Sequence, residues 1–203
     1  QSTRRVLKNK YKEVIMARKI WASFIACYIA IFCSLTSADG QLDAQVRVCE
    51  GCHGTNTVAN DPEVPEMQGQ HFFYIYTQLK DYKANRRSHQ VMTLMSAGLD
   101  KKMMKSLAQY YSEQKWVSRA PEETIDESVA SNAMTAGQCT QCHGNYKGLN
   151  GIPRLAGQKA SYLEETMRAF KQKERMNAGA KSALFATMAD AEIAAIANFL
   201  ANQ

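Results

Sequence analysis

The chain has 203 residues and a formal net charge of +6, from 25 Lys and Arg against 19 Asp and Glu. The excess is confined to one end: residues 1–38 hold seven bases and one acid (Glu13), so residues 39–203 balance at eighteen of each. A neutral main body excludes the basic footprint of a nucleic-acid binder, and the length suits one or two domains.

Residues 1–38 read as a polar upstream stretch followed by a signal peptide. Met16-Ala17-Arg18-Lys19 is a basic start, Ile20 to Leu35 is an apolar run, and Thr36-Ser37-Ala38 offers small residues for cleavage. Translation is expected to start at Met16. The sixteen apolar residues fall short of the roughly twenty that cross a bilayer comfortably. The expectation is therefore export to the periplasm, with a membrane anchor as the alternative if the leader is retained. Cys27 and Cys33 belong to this run, which leaves Cys49, Cys52, Cys139 and Cys142.

Those four cysteines form Cys49-Glu50-Gly51-Cys52-His53 and Cys139-Thr140-Gln141-Cys142-His143. Two thiols on one helical turn followed directly by histidine is the attachment signature of a c-type haem. The thiols become thioethers to the porphyrin, and the imidazole stands next to the iron. Zinc usually gathers two Cys pairs into one four-ligand site. A thioredoxin-like dithiol needs a βαβ setting. Neither fits two separate copies, each with its own histidine. The cofactors expected are two c-type haems.

Along the chain, Leu42 to Val48 reads as a short helix leading into Cys49, and Gly54 to Asp61 as a loop. Pro62 and Pro65 keep the next segment extended. A second helix opens at Gly69-Gln70 with Phe72, Ile75, Leu79 and Tyr82 at helical spacing. Arg86 to Ala97 is polar and irregular but contains Met92 and Met95. Leu99 to Gln114 is a third helix with Met103, Leu107 and Tyr110 inward. His71, His89 and the Arg86-Arg87 pair read as exposed, with solvated loop as their simplest role.

The plan then repeats. After a linker at 118–123, Ile152-Pro153-Arg154-Leu155-Ala156-Gly157-Gln158 answers Val64-Pro65-Glu66-Met67-Gln68-Gly69-Gln70. Tyr162, Leu163, Met167 and Phe170 answer Tyr74, Ile75, Leu79 and Tyr82, and Met188 to Phe199 answers Leu99 to Tyr110. This is one all-α module duplicated. The domains expected are 39–117 and 124–203, each small enough that a covalently held porphyrin would complete its core. In the first copy, either Met92 or Met95 could face the iron opposite His53.

The paired Cys-x-x-Cys-His-Gly motifs, the Pro-x-x-x-Gly-Gln segments, the aromatic helices and the Met-bearing stretch before the last helix resemble the cytochrome c4 family. That resemblance covers residues 40–203 and implies two tandem class I cytochrome c domains, each with one covalent haem. It implies Met92, seven residues before Leu99, as distal ligand of the first haem. It also implies that the carbonyls of Pro65 and Pro153 orient the imidazoles of His53 and His143, which meets the general need of a ligating histidine for an acceptor behind it.

The second copy departs from the pattern. Seven residues before Met188 stands Lys181, and Ala178 to Phe185 contains no thioether. Lys181 is therefore the candidate distal ligand of the second haem. The alternatives are Met176, Met188 or an open iron. An amine must be neutral to ligate, against an ordinary pKa near ~10.4. A nitrogen donor there would hold the second haem at lower potential than the Met-ligated first, making haem two the entry point for electrons and haem one the exit. The function expected is electron transfer between donor and acceptor proteins, such as a periplasmic dehydrogenase and a membrane-bound oxidase. No substrate chemistry and no enzyme activity of its own is expected. The rival reading is a haem enzyme or oxidoreductase subunit whose open second haem meets a small substrate.

Overall fold

The computed structural model describes residues 40–54, 61–117 and 127–203. The leader, the linker at 118–123 and most of the first post-motif loop lie outside the described residues. The described residues between Val46 and Gln203 belong to one compact unit.

Nine helices account for the regular structure among the described residues: α1 (40–53), α2 (Phe72–Lys83), α3 (Gln90–Ala97), α4 (Lys101–Glu113), α5 (Glu127–Ala136), α6 (Cys139–His143), α7 (Ala160–Lys171), α8 (Gly179–Ala186) and α9 (Asp190–Ala201). Among the described residues the only extended pairings are isolated bridges, Arg87 with Arg175 and Leu149 with Ile152. The all-α expectation holds.

In the first half α2 packs on α3 and α4. Ile75, Tyr82, Leu99, Met104, Leu107, Ala108 and Tyr111 are buried there. In the second half α9 packs on α5 and α7, and α8 packs on α7. Its core gathers Ala130, Ala133, Met134, Leu163, Met167, Met188, Ile193, Ile196, Ala197 and Leu200. These positions recur at three- and four-residue steps, so each helix turns one apolar stripe inward.

Several local expectations need correction. Residues 90–97 form a helix where an irregular segment is expected. His89 starts it from an extended backbone by accepting a hydrogen bond from the Met92 backbone N–H, and nothing from Gln90 to Ala97 is Gly or Pro. Residues 179–186 are helical as well, and their Ala and Leu are strong helix formers. The first helix runs through the motif to residue 53 and does not stop at 48. The inward face of α4 is Met104, Leu107, Ala108 and Tyr111, so Met103 and Tyr110 lie off its centre. Arg87 is buried at 8% exposure and not solvated, because it packs between the two halves.

The duplicated segment joins the halves by a reciprocal exchange. Gln70 donates through Nε2 to the Arg154 carbonyl (3.0 Å) and accepts at Oε1 from the Arg154 N–H (2.8 Å). Gln158 makes the same two bonds to Glu66, each at 3.0 Å. Both glutamines are buried. The glycine before each is obligatory in conformation: Gly69 and Gly157 both have φ +72. Their N–H groups donate to Tyr111 O (2.8 Å) and Leu200 O (2.9 Å), and a Cβ on Gly69 would stand 2.7 Å from the Trp116 backbone nitrogen. The Pro-x-x-x-Gly-Gln repeat is thus the seam between the halves. A second matched pair fixes the helix after the distal segment: Lys83 Nζ donates to Leu99 O at 2.6 Å and Lys171 Nζ to Met188 O at 2.7 Å.

Candidate functional site

Each Cys-x-x-Cys-His motif lies on a helix, α1 in the first half and α6 in the second, so the two thiols and the imidazole are set by a single turn. The approach differs. The first helix enters without a break, while the second pauses at Gly137 and Gln138, the latter at φ 53, before α6 begins. No disulfide joins Cys49 to Cys52 or Cys139 to Cys142.

The two histidines are held alike. His53 Nδ1 lies 2.9 Å from Pro65 O, and His143 Nδ1 lies 3.3 Å from Pro153 O. With the proton on Nδ1 each imidazole donates to its carbonyl, and the Nε2 lone pair faces away from that bond. Burial lowers the pKa of His53, with the nearby Lys159 charge adding to it against the Pro65 bond. Burial also lowers His143, helped by the charge of Lys181. Both imidazoles are therefore kept neutral, the form that ligates a metal. Behind the first motif Gln68 donates through Nε2 to Gly54 O at 2.9 Å and pins the chain as it leaves His53.

These features fit a covalent haem: thiols with no disulfide between them, a neutral imidazole with an acceptor behind it, and a short helix that fixes their spacing. A zinc cluster fits less well. Among the described residues no three His, Cys, Asp or Glu side chains gather at one point.

On the distal candidates the halves differ. Met92 is half-buried on α3, whereas Met95 is 36% exposed on the same helix. Lys181 is half-buried on α8 with Nζ 5.3 Å from the Phe170 ring centroid. Burial pushes its amine down to about 8, with the Arg175 charge adding to the effect and the field of Cys142 opposing it. The charge of Lys181 in turn reaches His143 of the second motif, where it is one of the causes of the lowered imidazole pKa. Met176 is 70% exposed, and Met188 is buried in the helical core beside Gly137, where its Cε stands 3.0 Å from a Cβ built on that glycine.

Sequence reasoning missed the polar cluster between the halves. Arg87 and Arg175 pair through their backbones, and the amide oxygen of Gln78 accepts from Arg87 Nη1 (3.0 Å), Arg175 Nη2 (2.9 Å) and Asn177 Nδ2 (3.2 Å). Tyr162 accepts from Arg87 at 3.1 Å and Tyr74 from Arg175 at 3.4 Å. Burial would raise the Tyr162 phenol, but the two guanidiniums outweigh it and bring it to about 7. The matched positions of Arg87 and Arg175 in the two repeats were the available signal.

Residues 129–203 match the family model for cytochrome c. The chain is 33% identical over 165 residues to cytochrome c4 of Thiocapsa roseopersicina, covering 75% of this chain and 85% of that protein. It is 26% identical over 208 residues to a protein of Thiomonas intermedia named thiosulfate dehydrogenase electron acceptor, covering 95% and 94%. The crystal structure of reduced recombinant cytochrome c4 from Pseudomonas stutzeri superposes with a TM-score of 0.70 at 26% identity, covering 80% of this chain and 97% of that one. Duplicated motifs, duplicated histidine supports and a seam between two helical halves thus coincide with a shared ancestry, and the chain belongs to the cytochrome c4 family of dihaem electron-transfer cytochromes with tandem class I domains.

Proposed function

We propose that this chain is an exported one-electron carrier whose two haem centres are unlike on their distal sides. Cys49 and Cys52 would tether the first haem, with His53 and Met92 holding its iron. Cys139 and Cys142 would tether the second, with His143 and Lys181 holding its iron. Pro65 and Pro153 orient the two imidazoles. When bound, the haems supply the Fe(III)/Fe(II) couple.

The observation that supports this reading is the setting of Lys181. Its amine is half-buried with Nζ over the Phe170 ring, and its charge reaches His143. Burial has already removed much of the cost of making it neutral. Met176 on the surface and Met188 in the core are poorer candidates. The chain's other contribution is to hold both sites rigid, since the glutamine exchange and the paired lysine bonds fix the helices that carry them.

Near-infrared and low-temperature EPR spectra of the oxidised protein test the assignment. One His/Met and one His/Lys signature are expected, and two matching His/Met signatures overturn it. Carbon monoxide should bind slowly or not at all; fast binding at one iron would move the second site to the enzyme reading. Relatives named thiosulfate dehydrogenase electron acceptor support a dehydrogenase of the same compartment as electron donor. A membrane-bound oxidase is the acceptor this reading assigns.

A further inference from the structure

The Arg87 and Arg175 pair is a charge problem the protein part of the molecule does not solve. Arg87 and Arg175 are 8% and 6% exposed and come from matched positions of the two halves. Among their acceptors Gln78 Oε1, the Tyr74 hydroxyl and Asn177 Oδ1 are neutral, and the Tyr162 hydroxyl, drawn down to about 7 by the two guanidiniums, balances at most one of the two charges. Each lies over an aromatic face, Arg87 over Tyr82 at 4.7 Å and Arg175 over Phe170 at 4.6 Å. Among the described residues neither has a carboxylate at ion-pair distance. The nearby Asp81 is taken by Arg86 (2.7 Å) and by Asn177 Nδ2 (2.8 Å). Burying a charge is costly unless it is paired, and burying two like charges side by side is worse. The arrangement calls for anions.

We propose that Arg87 and Arg175 form an anion cradle shared by the two halves, and that its occupants are carboxylates carried by the two bound haems. The cradle then acts as a common positive potential on both irons. It favours the reduced state of each and sets the two potentials together. Arg175 shares the Phe170 ring with Lys181, which puts the cradle beside the second site. Arg87, its counterpart in the repeat, stands on the first-half side with Tyr82. The proposal rests on the dihaem architecture and is indifferent to whether Lys181 is a ligand.

Optically monitored redox titration of the loaded protein tests it in the Arg87→Gln, Arg175→Gln and double variants, with the exposed Lys102→Gln as control. Losing a positive charge near an iron disfavours reduction. Each single variant should therefore lower both midpoints, the nearer by roughly tenfold in reduction constant, about 59 mV for a one-electron couple. The double variant should fall further, and the control should not move. Arg87→Lys and Arg175→Lys keep the charge and should keep the potentials, while losing the planar fork that grips a carboxylate. In redox infrared difference spectra with carboxyl-labelled haem, their labelled bands should shift. If the glutamine variants do not fold, these bands carry the test alone. Midpoints unmoved by either glutamine substitution in a folded protein, or labelled bands unmoved by either lysine, overturn the proposal. So do potentials that follow the buffer when phosphate replaces chloride, since the cradle would then hold a solution anion. Haem spectra of every variant report ligation independently, so a wrong distal ligand and a wrong cradle give different outcomes.

Discussion

The two halves of the molecule keep the same seam and the same proximal chemistry, yet differ on the way into the motif and on the distal side. The seam is symmetric to within a few tenths of an ångström: Gln70 and Gln158 make equivalent pairs of bonds, and Gly69 and Gly157 share one backbone conformation. The support behind each histidine is a proline carbonyl in both halves. By contrast α1 runs unbroken into its motif while α5 and α6 are separated, and α3 offers Met92 where α8 offers Lys181. Duplication has kept what holds a haem and joins the halves. The segment before the last helix, which bears Met92 in one half and Lys181 in the other, is where the copies have diverged.

The largest expected effect breaks the comparison at its base. Replacing Cys139 and Cys142 together by alanine should leave one covalent haem per chain, counted by pyridine haemochrome and mass, with the remaining signal being that of the first centre. Loss of both haems would mean that the halves do not load independently. Next comes Lys181→Met, which makes the second distal segment resemble the first. One of the two midpoints should rise by on the order of 0.1 V, a fraction of the roughly 0.8 V range that axial ligands span. The two centres should then become closer in potential. An unchanged pair of midpoints removes Lys181 from the iron.

The sequence was most legible where chemistry fixes spacing. Cysteine and histidine in a five-residue motif, proline and glycine at matched offsets and the apolar faces of α2, α7 and α9 could all be read directly. The short helices α3 and α8 could not. Val91, Met92, Leu94 and Met95 give no clean stripe, and three of them are exposed, so periodicity carried no signal. The α4 face is ambiguous by one position in the sequence because Met103 and Met104, like Tyr110 and Tyr111, are adjacent residues of the same type. The arginine pair left only its matched repeat positions as a signal: arginine is rarely buried, and only the fold brings residues 87 and 175 together. Lys181 was legible solely because its repeat partner is methionine.

A smaller effect sharpens the symmetric side. Gln70→Ala and Gln158→Ala each remove two hydrogen bonds across the seam and leave a backbone N–H and C=O without partners. Each should cost about 2–4 kcal/mol, measured by denaturant unfolding of the loaded protein. The comparison predicts nearly equal losses. A seam that mattered in one half alone would give one large value and one near zero.

The smallest effect concerns the last helix of each half, where the repeat has divided a single device. In a capping box the N-cap side chain accepts from the third backbone N–H of the helix, and the third residue's side chain reaches back to the N-cap N–H. The first half keeps only the first bond: Asp100 Oδ1 accepts from the Met103 N–H at 2.7 Å, and Met103 has nothing to return. The second half keeps only the other: Glu192 Oε2 accepts from the Ala189 N–H at 2.6 Å, and Ala189 has no oxygen to offer. Asp100→Ala should therefore lower stability by about 1 kcal/mol, as loss of a side-chain cap does. Ala189→Asp, on a backbone already extended at φ −69 and ψ 153, should raise it by a similar amount. Thermal unfolding reads both. Opposite signs are the expected result, because each half lacks the bond the other has; a loss in both variants would mean that the N-cap of α9 has no room for the missing half.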